Sequence, residues 1–133
     1  MADLEPFLGR HRANPLYRYA GFRLVSWSAG EVVMECPVAE GTQNVNGTLH
    51  GGIVALLVDE AGTVALAAQD RDGRPGVTTD LNVSFFAPGR PPSVRAVARV
   101  LKIGRTLGFV EVEVFGADGK RVAQGRMTKH LGP

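Results

Sequence analysis

Two carboxylates, Asp59 and Glu60, stand side by side in the middle of a sixteen-residue apolar run, Ile53 to Ala68. The run reads as a helix that is apolar on nearly every side, so it must be buried on nearly every side. An ionised carboxylate on such a helix costs several kcal/mol unless it is paired or does chemistry. The helix is entered through His50-Gly51-Gly52. Its start leaves backbone N–H groups without intrahelical partners at the positive end of the dipole, and glycine leaves them uncrowded. A carboxylate and free N–H donors on one helix are the components of an acyl-transfer site. Removing one donor from an oxyanion site typically costs ~10²–10³ in rate.

The elements around this helix follow from periodicity. Residues 4–19 read as a short leading helix broken at Asn14-Pro15. Phe22 to Trp27 and Val32 to Val38 read as strands joined at Ala29-Gly30; in the second, Val32, Met34, Cys36 and Val38 alternate with Glu31, Val33 and Glu35. Glu40 to Thr48 is a polar loop, and the buried helix runs from about Gly51 to Gln69. After the breaker Asp70 to Gly76, the pattern is β to the end. Strands are expected over Val77–Phe86, Ser93–Ile103, Leu107–Phe115 and Arg121–His130, with a hairpin at Ala117 to Lys120. This order, β-β-α-β-β-β-β, implies an α+β domain over residues 1–133, preceded by a helical segment at 1–20. One helix covers one face of a curved antiparallel sheet of about six strands. The strands carry more apolar residues than one helix can cover, which implies association of copies.

Bulk properties narrow the function classes. The 133-residue chain is 44% apolar and 21% charged with a net charge of +2, an ordinary globular balance that argues against nucleic acid as the default partner. Cys36 is the single cysteine and sits in an alternating strand, where a buried inert thiol is expected. The start MADLEPFLGRHR lacks a signal-peptide core, and the 53–68 run is short for a span with two acids at its centre, so the chain reads as cytoplasmic with no membrane partner.

The stretch Asn44-Val45-Asn46-Gly47-Thr48-Leu49-His50-Gly51-Gly52, followed six residues later by Asp59, resembles the hot-dog-fold acyl-CoA thioesterases. It is most similar to the branch of the phenylacetate-pathway and human thioesterase-superfamily-member-2 enzymes. Gly76 to Ser84 and the tail Gln124 to Gly132 carry the same resemblance, which spans about residues 20 to 132. It implies a hot-dog fold and hydrolysis of an acyl- or aryl-CoA thioester to a free acid and coenzyme A, with no metal and no redox cofactor. It implies that Asp59 is the catalytic carboxylate, either a general base on water or a nucleophile through an anhydride. Asn44 matches the loop residue that orients water or the thioester. Gly51 matches the helix-start glycine that binds the thioester oxygen. Thr78 falls where the human relative has a serine that helps hold the attacking water. In the family, Asn44 and Gly51 would come from one protomer and Asp59 and Thr78 from the other, in a dimer at least and a tetramer of two dimers by analogy.

The remaining residues have plainer readings. Asp59 could be a structural acid paired with an arginine, and Thr78 an ordinary strand threonine. Glu60, about 100° around the helix from Asp59, is expected at an interface or behind the catalytic acid. His50 could be a base, but holding the loop by ring hydrogen bonds is the stronger expectation; Gly52 is expected beside it at the helix start, and Asn46 in a turn. Coenzyme A carries phosphates, so Arg90, Lys102, Arg105, Arg126 and Lys129 are candidates for a basic rim. Trp27, Phe85, Phe86 and Phe109 are expected in the core, and Val54, Leu57 and Phe85 around the acyl pocket. Two other functions compete: enoyl-CoA hydration on the same fold, whose D-x-N-P-x-H string is absent here, and non-catalytic acyl-CoA binding, whose sensors generally carry a DNA-binding region.

Overall fold

The computed structural model describes residues 4–28, 30–70, 72–74 and 76–132. Ala29 of the expected first turn, and Arg71 and Pro75 of the breaker, lie outside the described residues. Two short helices come first: α1 (Glu5–Ala13) and α2 (Pro15–Ala20). They are separated at Asn14, whose extended backbone ends α1 and whose side chain accepts from the Leu16 N–H at 2.9 Å to cap α2. Strands β1 (Arg23–Ser28) and β2 (Glu31–Pro37), helix α3 (Gly51–Gln69), and strands β3 (Val77–Phe85), β4 (Ser93–Ile103), β5 (Leu107–Gly116) and β6 (Arg121–His130) follow. The expected order is therefore present.

All six strands form one antiparallel sheet in the order β1-β2-β4-β5-β6-β3. α3 packs across one face of it, against β2, β4, β5 and β6. The alternation in the strands decides which side chains meet it: Val32, Met34 and Cys36, Val94, Ala96 and Ala98, and Val110, Val112 and Val114 are all buried. Gly62 lets α3 approach β6 closely, since a Cβ there would collide with Met127 Sδ. α3 is long and apolar enough to cross a membrane by composition. Its residues from Ala61 to Ala68 are all buried within this domain, which accounts for that composition. Cys36 is buried and free, and burial pushes its thiol up to about 12.

The opposite face of the sheet is charged. Arg23 and Arg95 flank Glu35 at 3.0 and 3.2 Å, and Arg99 joins Glu31 at 3.2 Å and Glu113 at 3.1 Å. The two faces thus separate cleanly along the strands.

β3 is the exception to core packing. It is an edge strand, and Val77, Leu81, Phe85 and the following Phe86 are exposed. Trp27 is exposed as well. The expectation that Trp27, Phe85 and Phe86 are core residues is therefore wrong for a single chain. β3 and β1 form the two margins of the sheet, beyond the width one helix covers. An exposed apolar edge is a place where another chain is expected to bind.

Candidate active site

Asp59 is half-buried on the face of α3 turned toward β3. Its Oδ1 accepts a hydrogen bond from Thr78 Oγ1 at 2.8 Å. The strand is shaped for this contact. Thr78 is opposite Lys129 in the ladder, whereas Asp80 is opposite Thr128, so Thr79 is an extra residue and β3 is bulged directly after Thr78. A bulge re-aims its neighbouring side chain. The adjacent Glu60, rotated about 100° around the helix, faces away from β3. It meets the N-terminal helices instead: its Oε2 is 2.8 Å from His11 Nδ1. Glu60 is thus neither exposed nor alone, and His11 is a participant that the sequence patterns had not marked.

The largest revision concerns Lys129. Expected on a basic rim, it is 6% exposed. Along β6, Ala123, Gly125, Met127 and Lys129 all point inward and are buried. Its ammonium donates to Thr63 Oγ1 at 2.8 Å, and Thr63 lies one turn beyond Asp59 on α3. Burial pulls Lys129 below the ordinary lysine range, against the opposing pull of the nearby Asp59 and Glu60 charges. The other rim candidates, Arg90, Lys102, Arg105 and Arg126, are exposed but scattered. Arg90 follows Gly89, whose carbonyl accepts from Leu49 N near the start of α3. Arg105 lies at the other end, where its carbonyl accepts from Arg74. Arg126 is on the outer face of β6 and Lys102 on β4. A single chain does not bring them together.

A cavity of about 350 Å³ opens beside these groups. Asp59, Glu60, Thr63, Thr78 and Lys129 form one wall, and Phe7, His11 and Tyr17 of the leading helices form another with Phe22 and Leu56. Leu57 and Val54, expected to shape the pocket, are instead in the core at 0% and 2% exposure. The Tyr17 phenol is raised by burial and then by the Glu60 charge.

The start of α3 carries the other chemical group. His50 caps it: ring Nδ1 accepts from Gly52 N at 2.8 Å, while His50 N donates to Thr42 O at 2.9 Å. His50 thus holds the loop, and the Gly52 N–H is occupied. Among the described residues, no hydrogen bond engages the Gly51 N–H. Asn44 braces the preceding loop. Its Oδ1 accepts from Asn46 N at 2.9 Å and Thr48 N at 3.2 Å, and its Nδ2 donates to Thr48 Oγ1 at 2.9 Å. The structure therefore makes two clusters, Asp59 with Thr78 and Lys129 midway along α3, and Asn44 with His50 and Gly51 at its start. The eight-residue spacing separates them by ~12 Å of helix.

Known proteins resemble this chain in sequence and fold. Residues 46–123 match the model of the thioesterase superfamily. Human acyl-coenzyme A thioesterase 13 is 46% identical over 111 residues, covering 82% of this chain and 79% of that protein. The crystal structure of zebrafish thioesterase superfamily member 2 superposes with a TM-score of 0.85 at 37% identity, covering 97% of this chain and 96% of that one. The Escherichia coli PaaI protein from the phenylacetic acid degradation operon has the same fold, with a TM-score of 0.85 at 23% identity over 96% of this chain and 91% of its own. With the long helix, the sheet order and these matches in agreement, the chain belongs to the thioesterase superfamily and is a thioester hydrolase of the hot-dog fold.

Proposed function

We propose that this protein hydrolyses an acyl- or aryl-CoA thioester to the free acid and coenzyme A, in a site shared by two protomers. The observation that carries this reading is the Asp59–Thr78 hydrogen bond on the wall of a cavity, in a chain 46% identical to a protein named for acyl-coenzyme A thioester hydrolysis.

Asp59 acts as general base. Thr78 donates to one carboxylate oxygen and keeps acceptor capacity of its own, so carboxylate and hydroxyl together can hold one water. Asp59 takes a proton from that water as its oxygen attacks the thioester carbon. Negative charge develops on the carbonyl oxygen, where an unoccupied helix-start N–H is the best available donor. The C–S bond then breaks, the thiol of coenzyme A leaves, and the proton held by Asp59 is returned to it.

One chain cannot supply both halves of this reaction, because Asp59 and its own Gly51 are ~12 Å apart along the helix. β3 offers the remedy. It runs from Thr78, beside Asp59, to Phe85, which packs against Gly51. Antiparallel pairing of two exposed β3 edges about a two-fold axis near mid-strand places Asp59 and Thr78 of one copy toward Asn44 and Gly51 of the other. It also covers Leu81, Phe85 and Phe86. A tetramer of two such dimers is the assembly the resemblance implies.

The test is steady-state hydrolysis of a panel of fatty acyl-, aryl- and short-chain CoA thioesters with a thiol-trapping reagent. Asp59→Asn is expected to lose about 10²–10⁴ in kcat with its circular dichroism unchanged. Turnover near wild type in that variant overturns the proposed role of Asp59. Lack of hydrolysis by the wild type across the panel, with tight binding of the thioesters, favours the non-catalytic reading.

A further inference from the structure

Lys129 is the most deeply buried charged group lining this cavity, and the hydrolytic scheme leaves it unused. It is more than nine-tenths buried, yet it is an ammonium with three donors, and among the described residues its ammonium has one hydrogen bond, that to Thr63. A buried cation of this kind is costly unless something uses its charge. Its surroundings identify the user. Lys129 is directly opposite Thr78 across the β3–β6 ladder, and both side chains descend onto α3, Thr78 to Asp59 and Lys129 to Thr63 one turn later. Asp59 and Glu60 line the same wall and are the nearby carboxylates that favour its charge.

We propose that Lys129 is a positioning residue for hydrolysis: anchored on Thr63 one turn beyond Asp59 and opposite Thr78, its ammonium is a counter-charge to the half-buried Asp59 carboxylate and its neighbour Glu60. This inference rests on the acyl-CoA reading above. Two neighbouring carboxylates at reduced solvation repel, and each disfavours the ionised form of the other. A base must carry its charge to accept the proton of water. A cation fixed on the same helix face offsets that repulsion without contacting the substrate.

The charged groups around this wall can be separated by pH. α3 supplies Asp59 and Glu60, α1 supplies Arg10 and His11, α2 supplies Tyr17, and β3 supplies the neutral Thr78. Arginine stays charged throughout. Burial lowers Lys129 from the ordinary lysine value and raises the Tyr17 phenol from its own, and of these two only Lys129 loses a positive charge as pH rises. Activity should therefore fall on the alkaline side at a pH below the ordinary lysine range.

The experiment measures kcat and KM for one hydrolysed thioester from pH 6 to 10.5 in wild type, Lys129→Met and Thr63→Val. Methionine retains the apolar stem and removes the charge, so the fold is expected to persist, checked by circular dichroism and Tm. Lys129→Met should lose about tenfold or more in kcat at neutral pH with KM within about threefold, and its alkaline limb should disappear. Thr63→Val keeps the ammonium but not its anchor, and should lose less kcat and shift the limb. An unchanged alkaline limb in Lys129→Met, or kcat within about twofold of wild type, overturns the proposal. Should Lys129→Met fail to fold, Thr63→Val decides: a shifted limb supports the proposal and a wild-type profile overturns it. These results are read only on a wild type that turns over, so they are distinct from failure of the hydrolytic reading, which appears as loss of turnover in wild type or its persistence in Asp59→Asn.

Discussion

Gly51 and Asp59 occupy the same helix, two turns apart, and face different elements: Gly51 packs against Phe85 at the far end of β3, and Asp59 is hydrogen-bonded to Thr78 at its near end. The proposed site shared by two protomers therefore makes a sharp prediction about mixtures. Asp59→Asn and Asn44→Ala should each be nearly inactive alone. Dissociated together and allowed to reassociate, they should form mixed dimers with one wholly native site, recovering about a quarter of wild-type activity at equal mixing. A site contained within one chain would recover nothing. Light scattering on the same samples reports whether the protein is dimeric.

The hydroxyl of Thr78 should matter more than its methyl. Thr78→Ser keeps the donor to Asp59 and should retain activity within a fewfold of wild type. Thr78→Val preserves shape and β-branching but removes the donor, leaving the Asp59 carboxylate with one partner fewer. It should lose about tenfold or more in kcat. Stopped-time assays with both variants at equal folded concentration make the comparison. Equal activity of serine and valine forms would assign the threonine to strand packing alone.

Acid sensitivity should be concentrated at the far end of α3. Asp70 is 3% exposed, and its carboxylate is gripped by Arg74 at 3.0 Å from Nη2 and 3.1 Å from Nε. The Arg74 hydrogen bond holds Asp70 below the ordinary aspartate range. For a lowered carboxylate, the stabilisation is fully present above the unfolded-state value near ~3.9 and is lost as pH falls through the folded value. Arg74 also donates to the Arg105 and Gly132 carbonyls, tying three segments together. Arg74→Ala should therefore lower stability at pH 7, and that loss should shrink at a pH well below ~3.9, where the Asp70 carboxylate is protonated. Urea unfolding at the two pH values checks both.

The parts of this molecule that one-dimensional patterns describe were legible in the sequence. The bounds of α3 follow from an uninterrupted apolar run between a histidine-glycine start and an aspartate stop, and β4 and β5 follow from strict alternation. The candidate carboxylate stood out because nothing else on that helix was charged except its neighbour. Strand order was not legible: β3 follows α3 in sequence yet pairs with β6, because the helix carries the chain across the sheet to its other edge. Hence Phe85 and Phe86 were expected inside and lie exposed. The His11–Glu60 contact joins residues 49 positions apart and has no local signature. Lys129 did have one. It continues the inward alternation of Ala123, Gly125 and Met127, but a lysine is ordinarily expected outside, and that expectation outweighed the pattern.

The 100° turn between Asp59 and Glu60 divides the cavity into two separately encoded sides. The side proposed for the reaction is built by α3, β3 and β6 and is braced by contacts between residues distant in sequence. The other is a local structure of some twenty residues in which Phe7 stacks on His11, Tyr17 meets Phe22 edge to face, and the His11–Glu60 hydrogen bond fastens the assembly to the helix. Substitutions in that leading segment can reshape the chamber while leaving the Asp59–Thr78 bond as it is. A fold organised in this manner can change what it accepts without relearning how to cleave it.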